Sequence, residues 1–288
     1  MIFFSMMKVA LAQISPKLGD TRYNFALHAD YIQNAKKRNV DLLIFPELSL
    51  TGYTLKDLVE HVAVRPETDP MFHKLRVLSK GISFVAGFVE EKERGIFFNS
   101  AAYFSGGKVA HIHRKVYLPT YGMFEELKFY GQGSNFHSFR TPFGKTGMMI
   151  CYDFLHISSS YLLFVGGSEL IIVISAAPGR GFSGNESYAS SRMWELMGEA
   201  VSRFFQAFVF YCNRTGFEDG KSFAGGSFIY NPGGQLIAQS PYVDEDFLVK
   251  SIDLKEIRRF RKNRPYKRDE KPEVVLEAFK RIVEKYED

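Results

Sequence analysis

The chain has 288 residues, 45% of them hydrophobic and 24% charged, with a formal net charge of +5. That length suits one large domain or two small ones, and the balance is that of an ordinary globular protein, not of a disordered or collagen-like chain. Two cysteines exclude a disulfide framework.

The N-terminal Met1-Ile-Phe-Phe-Ser-Met-Met7 is apolar but lacks a charged leader and a small-residue cleavage site, and Lys8 interrupts it. No signal peptide is expected. No stretch is long and apolar enough to span a bilayer, so the expected location is the cytoplasm. Lys8 to Ile14 then reads as a strand. Thr21 to Asn39 reads as a helix with Tyr23, Leu27, Tyr31 and Ala35 stepping by four along one face. Asp41 to Phe45 is a short apolar run stopped by Pro46, as expected of a buried strand. A helix over Pro70 to Ser79 and a strand over Ile82 to Val89 follow. Ala101 to Phe104 and Lys108 to His113 flank Ser105-Gly-Gly, a hairpin signature.

After Cys151 the pattern predicts a short helix at Ser158 to Val165, a strand at Leu170 to Ile174, a long helix at Ser187 to Phe205 and a buried strand at Ala207 to Cys212. Ser227 to Tyr230 and Gln235 to Ala238 form a hairpin around Asn231-Pro-Gly-Gly234. Leu248 to Ile252 is a last strand and Pro272 to Tyr286 a terminal helix. No internal repeat is visible. Strands and helices mixed throughout, with several hairpins, predict an α/β layered domain and not a purely parallel doubly wound sheet. The plentiful aromatics, 28 Phe and 15 Tyr, predict a thick core. Between Lys255 and Lys271, nine Lys or Arg face three Asp or Glu. No nucleic-acid motif accompanies this run, which reads as a solvated helix and loop.

Three residues carry the candidate chemistry. Cys151 closes the apolar run Thr146-Gly-Met-Met-Ile150 and precedes Tyr152-Asp153-Phe154. Glu47 follows Leu43-Ile-Phe-Pro46, and Lys115 follows the strand that ends at His113-Arg114. A thiol reacts as thiolate and needs a base or cation to lower its pKa. A carboxylate supplies the base and an ammonium stabilises the oxyanion. Taken singly, each residue fits a blander reading, a core cysteine or a solvated strand end. His111 and His113 lie two apart on one strand and share a face, but no third metal ligand stands near them. Cys212 reads as core. Trp194 and Met197 read as core or interface.

The segments Phe45-Pro-Glu47-Leu-Ser-Leu-Thr-Gly-Tyr53, Arg114-Lys115-Val-Tyr-Leu-Pro119 and Gly147-Met-Met-Ile-Cys151-Tyr-Asp153 occur in the order found in the carbon–nitrogen hydrolase, or nitrilase, superfamily, which the chain resembles from Val9 to about Pro272. The resemblance implies a four-layer α-β-β-α sandwich. It implies Glu47 as general base, Lys115 as charge stabiliser and Cys151 as nucleophile, with the Tyr152 N–H as an oxyanion donor. Many members carry a further carboxylate on the loop after the lysine; Glu126 is the better match and Glu125 the reserve. Tyr121 and Tyr152 are expected to contact substrate.

Thr51-Gly-Tyr53-Thr-Leu-Lys-Asp57-Leu and Leu118-Pro-Thr-Tyr121-Gly-Met-Phe124 resemble the glutaminase domains of glutamine-dependent NAD synthetases and stand-alone amidases. Tyr152-Asp153 resembles amidases and carbamoylases, whereas nitrilases tend to have Trp-Glu there. The chain departs from relatives at Leu155-His156-Ile157-Ser158, where an arginine and Phe-Pro-Glu are common, and at Gly179 to Gly184. The expected organisation is a hydrolase domain over residues 1–272 and a helical extension over 273–288 at an oligomer contact. The expected activity is cofactor- and metal-independent hydrolysis of a small amide or carbamoyl substrate through a cysteine thioester. The alternatives are ammonia donation from glutamine to a separate synthetase, nitrile hydrolysis, and a non-catalytic scaffold. The expected partners are a small-molecule substrate and further copies of the chain, with no nucleic acid and no membrane.

Overall fold

The computed structural model describes residues 5–183 and 187–285. The first half runs β1 (Met6–Gln13), α1 (Thr21–Lys37), β2 (Leu42–Ile44), α2 (Val59–Val62), α3 (Pro70–Leu78), β3 (Ser83–Glu93), β4 (Ile96–Ser105), β5 (Lys108–Arg114) and α4 (Glu126–Phe129). Next come β6 (Phe139–Thr141), β7 (Gly144–Ile150), α5 (Ile157–Val165), β8 (Leu170–Ser175), the short β9 (Phe182–Ser183) and β10 (Ser187–Tyr188), and α6 (Ala189–Phe205). The chain continues through β11 (Phe208–Asn213), β12 (Thr215–Glu218), β13 (Lys221–Ala224), β14 (Phe228–Tyr230), β15 (Leu236–Gln239) and β16 (Asp246–Asp253). It closes with α7 (Lys255–Asn263), α8 (Tyr266–Asp269) and α9 (Pro272–Glu284).

Among the described residues, two six-stranded sheets form, ordered β16-β1-β2-β3-β4-β5 and β6-β7-β8-β11-β14-β15. Taken in those orders, both have the same pairing pattern of one antiparallel, two parallel and two antiparallel neighbours. β2 and β8, which pair parallel on both sides, are buried along their whole length, as expected where both faces are covered.

Strand alternation builds the layers. In β1, Val9 and Leu11 join the core that includes Met148, Ile150, Val173 and Cys212 of the second sheet. Ala10 and Ala12, on the other face, pack with Ile32 and Ala35 of α1 and Phe72 and Leu75 of α3. Leu163 of α5 and Trp194 and Val201 of α6 join the core of the second sheet. The result is the four-layer α-β-β-α sandwich.

Helix starts follow local chemistry: Asp20 caps α1 by accepting the Tyr23 N–H at 2.9 Å, and Asp69 caps α3 ahead of Pro70. The buried face of α1 differs from the expected one. Asn24, His28, Ile32 and Ala35 point inward, while Tyr23 is exposed. Two polar residues are tolerated there because both are hydrogen-bonded, Asn24 to the Lys17 backbone and His28 to Ser49. Helix α6 starts at Ala189, two residues later than expected, because Ser187 and Tyr188 pair with β9. The terminal helix ends at Glu284; Tyr286 lies outside the described residues. No helix among those described is long and apolar enough to cross a membrane.

Candidate active site

β2 runs into Phe45-Pro46-Glu47, and Pro46 ends the strand because it has no N–H for the ladder. Glu47 is fully buried. Its Oε1 accepts from Lys115 Nζ at 2.8 Å and Asn99 Nδ2 at 2.7 Å, and its Oε2 accepts the Ala176 N–H at 2.8 Å. β3 presses on this turn at Gly87, where a Cβ would sit 2.3 Å from the Leu48 nitrogen. From the other side, His28 Nδ1 lies 2.7 Å from the Asn24 carbonyl oxygen and Nε2 2.9 Å from Ser49 Oγ. Burial lowers the His28 pKa to about 4. The neutral ring therefore donates from Nδ1 to the carbonyl and accepts the Ser49 hydroxyl at Nε2.

Lys115 follows β5 and is also fully buried. Its Nζ donates to Glu126 Oε1 at 2.7 Å as well as to Glu47. Burial alone would lower its pKa, but the charges of Glu126 and Glu47 outweigh this and hold it well above the ordinary lysine value. It is an ammonium shared by two carboxylates. Glu126 opens α4, and its Oε1 also accepts the Tyr53 hydroxyl at 2.5 Å. Burial, with Glu47 adding and Lys115 opposing, pushes the Glu126 carboxyl up to about 7. Its Oε2 is buried and has no hydrogen-bond partner among the described residues. Glu125, the reserve, is exposed.

Cys151 directly follows β7 with φ at +46°, a left-handed conformation that disfavours an L side chain by about 1–2 kcal/mol. Burial pushes its thiol well above the ordinary range, and the Glu47 charge adds to this. The Lys115 charge and a hydrogen bond with Ser175 pull the other way. The β7–β8 register pairs Ile150 with Ile174, which sets Cys151 beside Ser175. The Tyr211 hydroxyl donates to Ser175 Oγ at 3.1 Å. Tyr152 is half-buried, and its ring centroid lies 5.6 Å from that of the exposed Tyr121.

The structure thus brings Glu47, Lys115 and Glu126 into hydrogen-bond contact and sets Cys151 within their electrostatic reach. Tyr121 lies within electrostatic reach of Cys151, and Tyr152 is the next residue in the chain. A cleft of about 40 Å³ beside Glu126 is lined by Tyr53, Phe124, Phe129 and Tyr130. Sequence reasoning assigned no role to Asn99, to the Tyr53 hydroxyl or to the Ala176 N–H. Tyr53 lies inside a segment already singled out, whereas nothing local marks Asn99. His113 and His111 have separate surroundings: His113 Nε2 lies 2.8 Å from Asp153 Oδ2, and His111 stacks on Phe139 at 4.2 Å. The departure at Gly179 to Gly184 is described only to residue 183.

The family profile described as carbon–nitrogen hydrolase matches residues 8–262. The glutamine-dependent NAD(+) synthetase of Acinetobacter baylyi is 32% identical over 90% of this chain and 46% of its own length. An (R)-stereoselective amidase of a Pseudomonas species is 28% identical over 91% of both chains. The crystal structure of a carbon–nitrogen hydrolase from Helicobacter pylori G27 superposes with a TM-score of 0.82 at 23% identity, covering 95% of this chain and 98% of that one. The chain spans about half the length of the synthetases it matches. With a profile match over most of its length and motifs that converge on one buried centre, the chain belongs to the carbon–nitrogen hydrolase family.

Proposed function

We propose that the protein hydrolyses a non-peptide carbon–nitrogen bond in a small amide or carbamoyl substrate through a thioester on Cys151. The observation that carries this reading is one buried ammonium, Lys115, shared by two carboxylates next to a buried thiol on a left-handed turn. Burial keeps the resting thiol protonated, so attack requires a base. Glu47, fixed by three hydrogen bonds, takes the proton as Sγ bonds to the carbonyl carbon. The oxyanion gains the Lys115 charge and the Tyr152 N–H. Collapse breaks the carbon–nitrogen bond, and Glu47 returns the proton to the departing ammonia or amine. Water, deprotonated by Glu47, then attacks the thioester, and collapse releases the acid while the thiolate recovers a proton. Glu126 keeps Lys115 charged, and its free Oε2 is available to accept from a substrate N–H. Tyr121 and Tyr152 flank the acyl group.

A second reading is supported by the match of 90% of this chain to under half of a glutamine-dependent synthetase. On that reading the same chemistry releases ammonia from glutamine for a separate synthetase. Ammonia release from glutamine, ω-amides, aliphatic amides, N-carbamoyl compounds and nitriles separates the readings. Turnover of nitriles alone overturns the amide assignment. Weak glutaminase activity that rises steeply when a synthetase is added favours the donor reading. Self-association is part of the proposal: Val274, Leu276, Phe279 and Ile282 of α9 are exposed, and a second copy would cover them. A monomeric mass by light scattering rejects that part.

A further inference from the structure

We propose that Asp153 is a positioning residue that fixes the Cys151 thiol and the Lys115 ammonium relative to one another, and that His113 holds Asp153 in place. The proposal rests on the roles given above to Cys151 and Lys115.

Asp153 is fully buried and accepts four hydrogen bonds. Oδ1 accepts the N–H groups of Val116 at 3.0 Å and Tyr117 at 2.9 Å, the two residues after Lys115. Oδ2 accepts the Ile150 N–H at 3.1 Å, from the residue before Cys151, and lies 2.8 Å from His113 Nε2. One carboxylate therefore joins the backbone beside the nucleophile to the backbone beside the lysine. The remaining backbone groups of Lys115 are also held: its N–H donates to the Asn99 carbonyl at 2.9 Å, and its carbonyl accepts the Gly133 N–H at 2.7 Å.

A blander reading makes Asp153 the cap of the short 3₁₀ turn at Cys151–Leu155. Capping uses only the bond from Ile150 to Oδ2. It leaves the two bonds at Oδ1 without a purpose, and these reach across 36 and 37 residues to the loop that follows β5. The Ile150 bond also closes the turn that holds Cys151 at positive φ, where backbone strain persists only if its surroundings over-determine it. Asparagine cannot replace the pattern, because N–H donors face both oxygens and whichever way its amide is turned, Nδ2 cannot accept them. His113 is 3% exposed and packs at 5.5 Å, with rings tilted by 32°, against Phe136, so its ring is held on the far side of the carboxylate.

The test compares wild type, Asp153→Asn, His113→Leu and His113→Gln in three measurements: kcat and KM on the best substrate, melting temperature, and the rate at which iodoacetamide labels Cys151 by intact mass. Asp153→Asn is expected to lower kcat about 10²-fold, the cost typical of an ångström of misplacement, with KM within about twofold. Labelling should slow about tenfold at every pH. His113→Gln, which keeps a donor N–H, should stay nearer wild type in kcat than His113→Leu. Folded Asp153→Asn protein with wild-type kcat and labelling overturns the proposal. Should Asp153→Asn fail to fold, the histidine pair decides, and equal kcat in Leu, Gln and wild type overturns it. Labelling needs no substrate. A chain that turns over nothing, yet whose Cys151 labelling depends on Asp153, rejects the proposed function and keeps the positioning role.

Discussion

Replacing Gly87 by alanine tests whether the backbone around Glu47 is held as tightly as the hydrogen bonds suggest. The added Cβ would lie 2.3 Å from the Leu48 nitrogen, 2.7 Å from the Pro46 oxygen and 2.9 Å from the Glu47 carbonyl carbon. Ordinary contact begins near 3.4 Å, so strand and turn must separate by about 1 Å. All three clashing atoms are backbone, and no rotamer change relieves them. The separation also strains the bonds from the Leu50 N–H to the Gly87 carbonyl at 3.0 Å and from the Gly87 N–H to Ser49 Oγ at 3.3 Å. Overpacking of this kind costs about 1–3 kcal/mol, or several degrees in melting temperature for a domain of this size. The loss in rate should be larger in proportion, because a base displaced by about 1 Å loses on the order of 10²-fold. Scanning calorimetry and steady-state kinetics read the two effects. A Gly87→Ala protein with kcat within twofold of wild type would refute the claim that close approach of β3 sets the position of Glu47.

Cys151→Ala should abolish turnover, while Cys212→Ala, in a fully buried thiol between the sheets, lowers melting temperature and leaves turnover largely intact; an electrophilic substrate analogue that labels Cys212 instead reverses the assignment. Lys115→Ala leaves Glu47 and Glu126 buried without their shared cation, so it should lose about 10²–10³ in kcat and also stability. Glu47→Gln should retain substrate binding and slow both acylation and deacylation in single-turnover mass spectrometry, and wild-type rates for both steps would remove Glu47 as the base. EDTA should leave the rate unchanged, and loss of activity restored by zinc would reject the proposed chemistry. The Glu126 carboxyl has a folded pKa of about 7, above its ordinary 4.5, so its ionisation destabilises the fold progressively as pH rises from 4.5 through 7. Glu126→Gln should therefore gain melting temperature relative to wild type between pH 5 and pH 8, and a flat difference would reject the raised pKa.

The element types were legible because the central strands are buried on both faces and read as short apolar runs with clear stops. Pro46 after β2 and the Asn231-Pro-Gly-Gly234 turn are examples. The face of α1 was not legible in the same way. A stripe of Tyr23, Leu27, Tyr31 and Ala35 is the natural apolar choice. The inward face nevertheless includes Asn24 and His28, because their hydrogen bonds fasten the loops around residues 17 and 49–50. Hydrophobic periodicity cannot see a polar side chain that is buried because its partners wait for it. The shared pairing pattern of the two sheets was hidden for a related reason: it is a property of backbone register, and no side-chain repeat accompanies it.

At the site, Glu47, Lys115 and Cys151 could be picked out because each stands at or just after the end of a strand, inside a motif shared with a known superfamily. Between the two adjacent carboxylates the resemblance only ranked Glu126 ahead of Glu125. Both stand at the start of the four-residue α4, and only the fold shows that one is buried on Lys115 and the other exposed. Asn99 is harder still. It lies in a β4 hairpin strand with no chemical signature, yet its amide meets Glu47 across 52 residues. The same distance problem explains Asp153. In sequence it is the second residue of a Tyr-Asp turn, and nothing local distinguishes a turn cap from a brace. What distinguishes them is that its second oxygen is occupied by Val116 and Tyr117. A residue that caps its own turn can be replaced by any good cap, whereas one that joins the end of a strand to a distant loop tolerates only a side chain with two acceptors at that spacing.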